Sequence, residues 1–289
     1  LYGAAMEKAF FAIRNAPSFL PLHITIGDIL VEQGKISGAV AKYLVVGDVY
    51  AVQGKTERAL AMLKKVIELQ PMNIEVRQRQ IDLLEEFGKK EEAINEYINL
   101  AEVFFPLAEL DSARAAYSKA LALAKTVSDD GGIKLKLLHR LADIDIQRLD
   151  WEAAISTYRD ICESAPRNQK ASISLVDLNY RLSKKQAAEQ EINRFVDQFD
   201  ISKESETIHG YLAGLREEIP GEEYIVRRLV DLFTHLGQRE LAISELDKLG
   251  DMLLESGQKS AAVDVIAEII TLNPPNIEAY KQLLEQLRA

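Results

Sequence analysis

Small and apolar residues recur along this chain at fixed steps, and those steps define helices. Gly34 with Ala39 is repeated 20 residues later by Gly54 with Ala59, and Pro71 closes the second pair. The layout then returns at 54-residue intervals: Gly88 and Ala93 answer Gly34 and Ala39, and Ala113 answers Ala59. Pro17 to Pro71, Pro166 to Pro220 and Pro220 to Pro274 keep the same interval, and Gly237 with Ala242 and Gly257 with Ala262 repeat the pair near the C-terminus. Between these marks apolar residues fall three and four apart, as in Tyr43, Val46, Gly47 and Tyr50, which places them on one helical face. Glycine supplies the left-handed turn that ends a helix, and proline cannot continue one.

The pattern predicts helices near 20–33, 36–53, 56–69, 74–87, 90–104, 109–125, 133–148 and 151–165, and about 16 in all. Residues 1–17 read as a partial repeat, followed by three-helix units at 18–71 and 72–125. A two-helix unit at 126–166 follows, with Asp129-Asp130-Gly131-Gly132 as the clearest interruption. Three-helix units return at 167–220 and 221–274, and 275–289 is a terminal helix. The expected whole is a single all-α array, a right-handed helical-repeat superhelix in which each unit buries its apolar face only against its neighbours. In a long unit the middle helix packs both backward and forward, and Ala39 and Ala59 are small because adjacent helices approach closely there.

Composition narrows the function classes. The chain of 289 residues is 47% hydrophobic and 28% charged, which fits a folded protein rather than a disordered one. Its apolar stretches are broken by Lys, Glu or Gln, and no membrane insertion is expected. A net charge of −10 argues against nucleic acid or anionic lipid as partner and permits a basic one. Cys162, the single cysteine, falls on an apolar stripe and reads as a buried thiol; a reducing, cytoplasmic setting is expected.

Tyr43, Val46, Gly47, Tyr50, Gly54, Ala59, Leu63, Val66 and Pro71 together resemble a full tetratricopeptide motif. Leu246, Leu249-Gly250, Leu253, Gly257, Ala262, Ile266, Ile269 and Pro274 resemble a second. Weaker copies run through His23, Ile26-Gly27, Leu30, Gly34 and Ala39, and through Ile81, Leu84, Gly88, Ala93 and Tyr97. A degenerate copy is read at Leu137, Leu141, Ile144, Ala153, Thr157 and Pro166. The family repeat advances by 34 residues, whereas small residues here are often 20 apart, so the middle helices are shared between overlapping motifs. The resemblance implies a scaffold that grips a peptide or helix in its concave groove.

One regularity exceeds what packing needs. The residue after the close-packing position is Asp28, Asp48, Asp82, Glu102, Asp177, Asp197, Asp231 or Asp251 in eight of nine registers, with Ala142 as the exception and Asp143 beside it. The resemblance implies that this position faces the groove, so an acidic ladder would draw a basic peptide or protein segment. The competing readings are a solvated face and an intramolecular ion-pair ladder. A groove empty of its own Arg and Lys would favour peptide binding. Phe104, Phe105 and Trp151 are further interface candidates, weighed against packing in turns and between units.

No catalytic set, cofactor or metal is expected. The four histidines are scattered, no cysteine cluster exists for zinc, and Gly131-Gly132 lacks the strand-to-helix setting of a phosphate loop. The expected function is therefore a protein-interaction scaffold and not an enzyme. The alternative is an architectural or oligomerisation segment of a larger protein, self-associating through the array ends.

Overall fold

The computed structural model describes residues 2–128 and 132–288; Asp129, Asp130 and Gly131 lie outside it, and Gly132 opens a helix. The described residues form sixteen α-helices and one short 3-10 turn, with no strand among them. Two compact units are distinguished, residues 1–150 and 151–289.

The first unit holds α1 (Tyr2–Asn15), α2 (Leu20–Glu32), α3 (Ile36–Val52), α4 (Thr56–Leu69) and α5 (Ile74–Glu86). It continues with α6 (Lys90–Phe104), the 3-10 turn Phe105–Leu107, α7 (Leu110–Ala124) and α8 (Gly132–Gln147). Each helix packs on the next in sequence. The second unit holds α9 (Trp151–Ser164), α10 (Gln169–Arg181), α11 (Lys185–Val196), α12 (Ile201–Glu218) and α13 (Glu223–His235). Its last three helices are α14 (Arg239–Glu255), α15 (Lys259–Thr271) and α16 (Ile277–Arg288).

Close packing explains the small residues. Gly27 lies against the ring of Tyr43, where a Cβ would stand 2.6 Å from Cε1, and a Cβ on Gly47 would stand 3.3 Å from that of Met62. The Tyr43, Val46 and Tyr50 stripe of α3 is buried with Ala59, Met62, Leu63 and Val66 of α4 in one apolar cluster. Each such side chain contributes about 1.5–3 kcal/mol when fully removed from water. α3 thus meets α2 on one side and α4 on the other, as a helix shared by two motifs must.

The turns fix the register. Seven residues beyond the close-packing position, the backbone is left-handed at Gly34, Gly54, Gly88, Gly237 and Gly257, and also at Ala108, Leu149 and Ser183. Leu149 assigns α8. Its close-packing residue is Ala142, fully buried, and twelve residues on its small partner is Ala154, also fully buried, rather than Ala153. Asp143, not Ala142, therefore follows the close-packing position.

The shared-helix plan fails once. α11 has 12 residues, against 17 in α3 and α14, and ends at Val196. The chain restarts at Asp200, whose carboxylate accepts from the Ser202 backbone N–H, and α12 packs on α10. Asp197 consequently caps the end of α11 instead of lying within a helix.

Candidate functional site

Two adjacent clefts in the first unit bring the acidic register together. The first, of about 190 Å³, lies between α3 and α5; Gly47, Asp48 and Ala51 face Arg79, Asp82, Leu83 and Glu86 across a floor of Ala59 and Leu63. The second, of about 380 Å³, has Glu102 of α6 and Phe105 of the 3-10 turn on one wall, with Tyr117 of α7 behind them. Its other wall is α8, with Arg140, Asp143, Ile144, Ile146 and Gln147. These residues meet because their helices occupy equivalent places: Asp48 and Glu102 are 54 residues apart, as are Ala51 and Phe105. A third cleft, about 240 Å³, lies in the second unit between α11, α12 and α13, where Arg228, Asp231 and His235 border Val196, Ile201, Ile208, Leu212 and Leu232.

Each of these clefts also contains an arginine that the acidic pattern alone did not single out. Arg79, Arg140 and Arg228 stand three residues before Asp82, Asp143 and Asp231, and Arg194 and Lys248 precede Asp197 and Asp251 in the same way. A spacing of three sets both groups on one helical face. The signal was available in the sequence as a second, basic period beside the acidic one.

The acidic register is therefore not free of the chain's own cations. Asp28 accepts from Lys65 Nζ at 2.7 Å and from the Tyr43 hydroxyl at 2.6 Å. Asp48 pairs with Arg79, Asp177 with Arg181 at 2.7 Å, and Asp231 with Arg228 at 3.6 Å. Partial burial pushes the Asp28 carboxyl upward, but the hydrogen bonds from Lys65 and Tyr43 outweigh it and hold the group below its ordinary value. The Tyr43 hydroxyl is raised well above its ordinary range by burial and by Asp28. Asp82 accepts from Gln78 Nε2 at 2.8 Å, an uncharged partner. Glu102 and Asp251 are exposed. Tyr117 is raised by burial and by the negative charge of Glu102.

The aromatic candidates divide by environment. Phe104 packs against the core of α6, α7 and α8, whereas Phe105 is 42% exposed on the second cleft. Trp151 begins α9 half-buried. Cys162 is buried, and its thiol is pushed up to about 11 by that burial. A fully buried carboxylate that sequence reading passed over is Asp145. It stands three residues after Ala142, where other registers carry Leu30, Tyr50, Leu84 or Leu253, and it is held by Arg114 at 2.5 and 3.2 Å and Arg148 at 3.3 Å. Among the described residues no group of three or more His, Cys, Asp or Glu is placed to hold a metal ion, and no helix is long and apolar enough to cross a membrane.

Paired antiparallel helices with small residues at their contacts and side-chain clefts between alternate helices define a helical-repeat interaction protein. Residues 44–109 match the family model of the tetratricopeptide repeat. Among solved structures, the MamA protein is 18% identical, with a TM-score of 0.32 over 58% of this chain and 94% of its own. A tetratricopeptide repeat protein from Parabacteroides merdae is 16% identical, with a TM-score of 0.32 over 86% of this chain and 99% of its own. The Naa15/Naa10 complex bound to HypK-THB matches at 15% identity and a TM-score of 0.41, over 86% of this chain and 38% of the matched one. No curated protein sequence matches.

Proposed function

We propose that this protein-interaction scaffold receives a basic peptide segment of its partner in the clefts of the first unit. The observation that carries the reading is the acidic surplus around their arginines. Asp48, Asp82 and Glu86 surround Arg79 in the α3–α5 cleft, and Glu102 and Asp143 accompany Arg140 in the α6–α8 cleft. A cationic segment entering there adds charge of the missing sign in a recess partly shielded from water, where attraction is stronger than on an open surface. Each exposed pair contributes only about 0–1 kcal/mol, so several carboxylates act together.

The test is fluorescence anisotropy with labelled Lys- and Arg-rich peptides, and Asp- and Glu-rich controls, at low and moderate salt. The basic peptides bind, weaken with salt, and weaken again in the Asp82→Asn, Glu102→Gln, Asp143→Asn variant. Equal binding of acidic peptides, or an unaltered variant, overturns the reading.

A second reading, association through the N-terminal region, is favoured by one feature. Phe10, Phe11 and Phe19 are each at least half exposed on or just after α1. Sedimentation over a concentration series tests it, since a monomer at all concentrations rules out self-association.

A further inference from the structure

The two clefts of the first unit share one layout but differ in their walls. At the position three residues beyond the ladder acid, α3 carries Ala51 and α5 carries Glu85, which accepts from the Tyr97 hydroxyl and does not line the cleft, whereas the α6 segment carries Phe105 and α8 carries Ile146 on its walls. The α6–α8 cleft is the larger of the two, with Phe105, Tyr117, Ile144 and Ile146 lining it beside Glu102 and Asp143. Two leucines just past the ends of its walls are exposed. Leu107, two residues after Phe105, is 48% exposed, and Leu149, two residues after Gln147, is 75% exposed. The two helix ends are tied together, since Arg148 Nε lies 2.8 Å from Asp111 at the start of α7.

Leu149 adds an independent observation. It adopts a φ of 57°, a left-handed conformation that five equivalent turns assign to glycine. That conformation costs a residue with a Cβ roughly 1–2 kcal/mol. A mostly exposed leucine recovers little of this by burial, and Ala108 and Ser183 take the same conformation at equivalent turns with smaller side chains.

We infer that the α6–α8 cleft, with the exposed Leu107 and Leu149 following its walls in sequence, is an anchor for a bulky apolar side chain flanked by Lys or Arg in the bound segment of the partner. This rests on the proposed basic-peptide reading and adds to it a place and a residue class. Phe105 lies three residues beyond Glu102, about 4.5 Å along the axis at 1.5 Å per residue. An extended peptide spans that distance between side chains about one or two residues apart. The apolar side chain meets Phe105 and Ile146 while its basic neighbour meets Glu102 and Asp143. The α3–α5 cleft, about 190 Å³ against 380 Å³, is lined by Ala51, Ala59, Leu63 and Leu83 with Asp48, Asp82 and Glu86, has no aromatic wall, and takes basic side chains without a preference for a bulky apolar neighbour.

The experiment is selection of a displayed random peptide library on the whole chain, followed by affinity measurement of the enriched peptides against Phe105→Ala, Phe105→Gln and Leu149→Gly. Thermal melts show whether each variant is folded. Enrichment of sequences pairing Leu, Ile, Phe or Trp with nearby Lys or Arg, and a roughly tenfold or greater affinity loss in both Phe105 variants, is expected. Enriched basic peptides without an apolar preference, unaffected at Phe105, overturn the anchor and leave the basic-peptide reading standing. Selection of acidic peptides, or of none above a scrambled background, overturns both. A concentration-dependent dimer abolished by Phe105→Gln shows that a second copy covers the cleft and overturns the peptide anchor.

Discussion

The hydroxyl of Tyr43 donates a hydrogen bond of 2.6 Å to the carboxylate of Asp28, and the same ring leaves room for no more than a glycine at position 27. One side chain from α3 thus sets both the closeness of the α2–α3 contact and the orientation of an acidic-register residue. Tyr43→Phe removes the donor and is expected to destabilise by about 1 kcal/mol. Gly27→Ala forces a Cβ into the ring and costs about 1–3 kcal/mol, as overpacking does. Urea unfolding of the two variants should rank them in that order.

Left-handed residues other than glycine offer gains in stability. Ala108→Gly relieves backbone strain at a φ of 58°, offset in part by the greater freedom of glycine in the unfolded chain. A net gain of about 0.5–1 kcal/mol is expected. Leu149→Gly should stabilise by a similar amount yet weaken binding of apolar-basic peptides. Opposite signs in melting temperature and affinity would separate a binding residue from a merely poor turn residue.

Acid should loosen the second unit through Glu245. This carboxylate of α14 lies 2.5 Å from Arg216 of α12 and 2.8 Å from Lys248. Burial pushes its pKa upward, but the hydrogen bonds from Lys248 and Arg216 prevail and hold it below the ordinary 4.5. A group depressed on folding stabilises above its unfolded pKa and loses that contribution as pH falls through the folded value. Stability is therefore expected to be steady near neutrality and to fall below about pH 4–5. Glu245→Gln should be less stable at neutral pH by about 1–3 kcal/mol and show a shallower acid loss in thermal melts taken across that window.

Arg79 occupies the place that a cation of the partner would take beside Asp48. Arg79→Gln releases that carboxylate, and affinity for basic peptides should rise by up to about fivefold, the range of an exposed ion pair. Anisotropy titrations at low salt read the change, and moderate salt should reduce it.

Asp145 is a structural charge with a different expectation. Asp145→Ala removes the shared buried partner of Arg114 and Arg148, and since both arginines reach solvent and Arg148 keeps Asp111, the cost should be about 1–3 kcal/mol. Asp145→Leu restores the residue type found at Leu84 and Leu253 and should recover part of that loss in the same denaturation assay.

The sequence by itself determined the helices and their ends, because these follow from local rules, while the shared middle helix it predicted holds at α3 and fails at α11. A glycine turn at Gly54, a proline stop at Pro71 and a stripe such as Tyr43, Val46, Tyr50 each act within a few residues of themselves. The acidic register was equally legible, since Asp28, Asp48 and Asp82 stand at a countable position. Its meaning was not. Lys65 reaches Asp28 from 37 residues away and Arg79 reaches Asp48 from 31, and only the packing of successive helices brings such groups within bonding distance. The α8 register likewise needed the backbone. Ala153 and Ala154 are equally small in sequence, and the left-handed turn at Leu149 and the burial of Ala142 and Ala154 decide between them. Tertiary structure also decided where the acids face open space, opposite Phe105 and Tyr117, because a cleft belongs to surfaces drawn from several helices and no single helix encodes it.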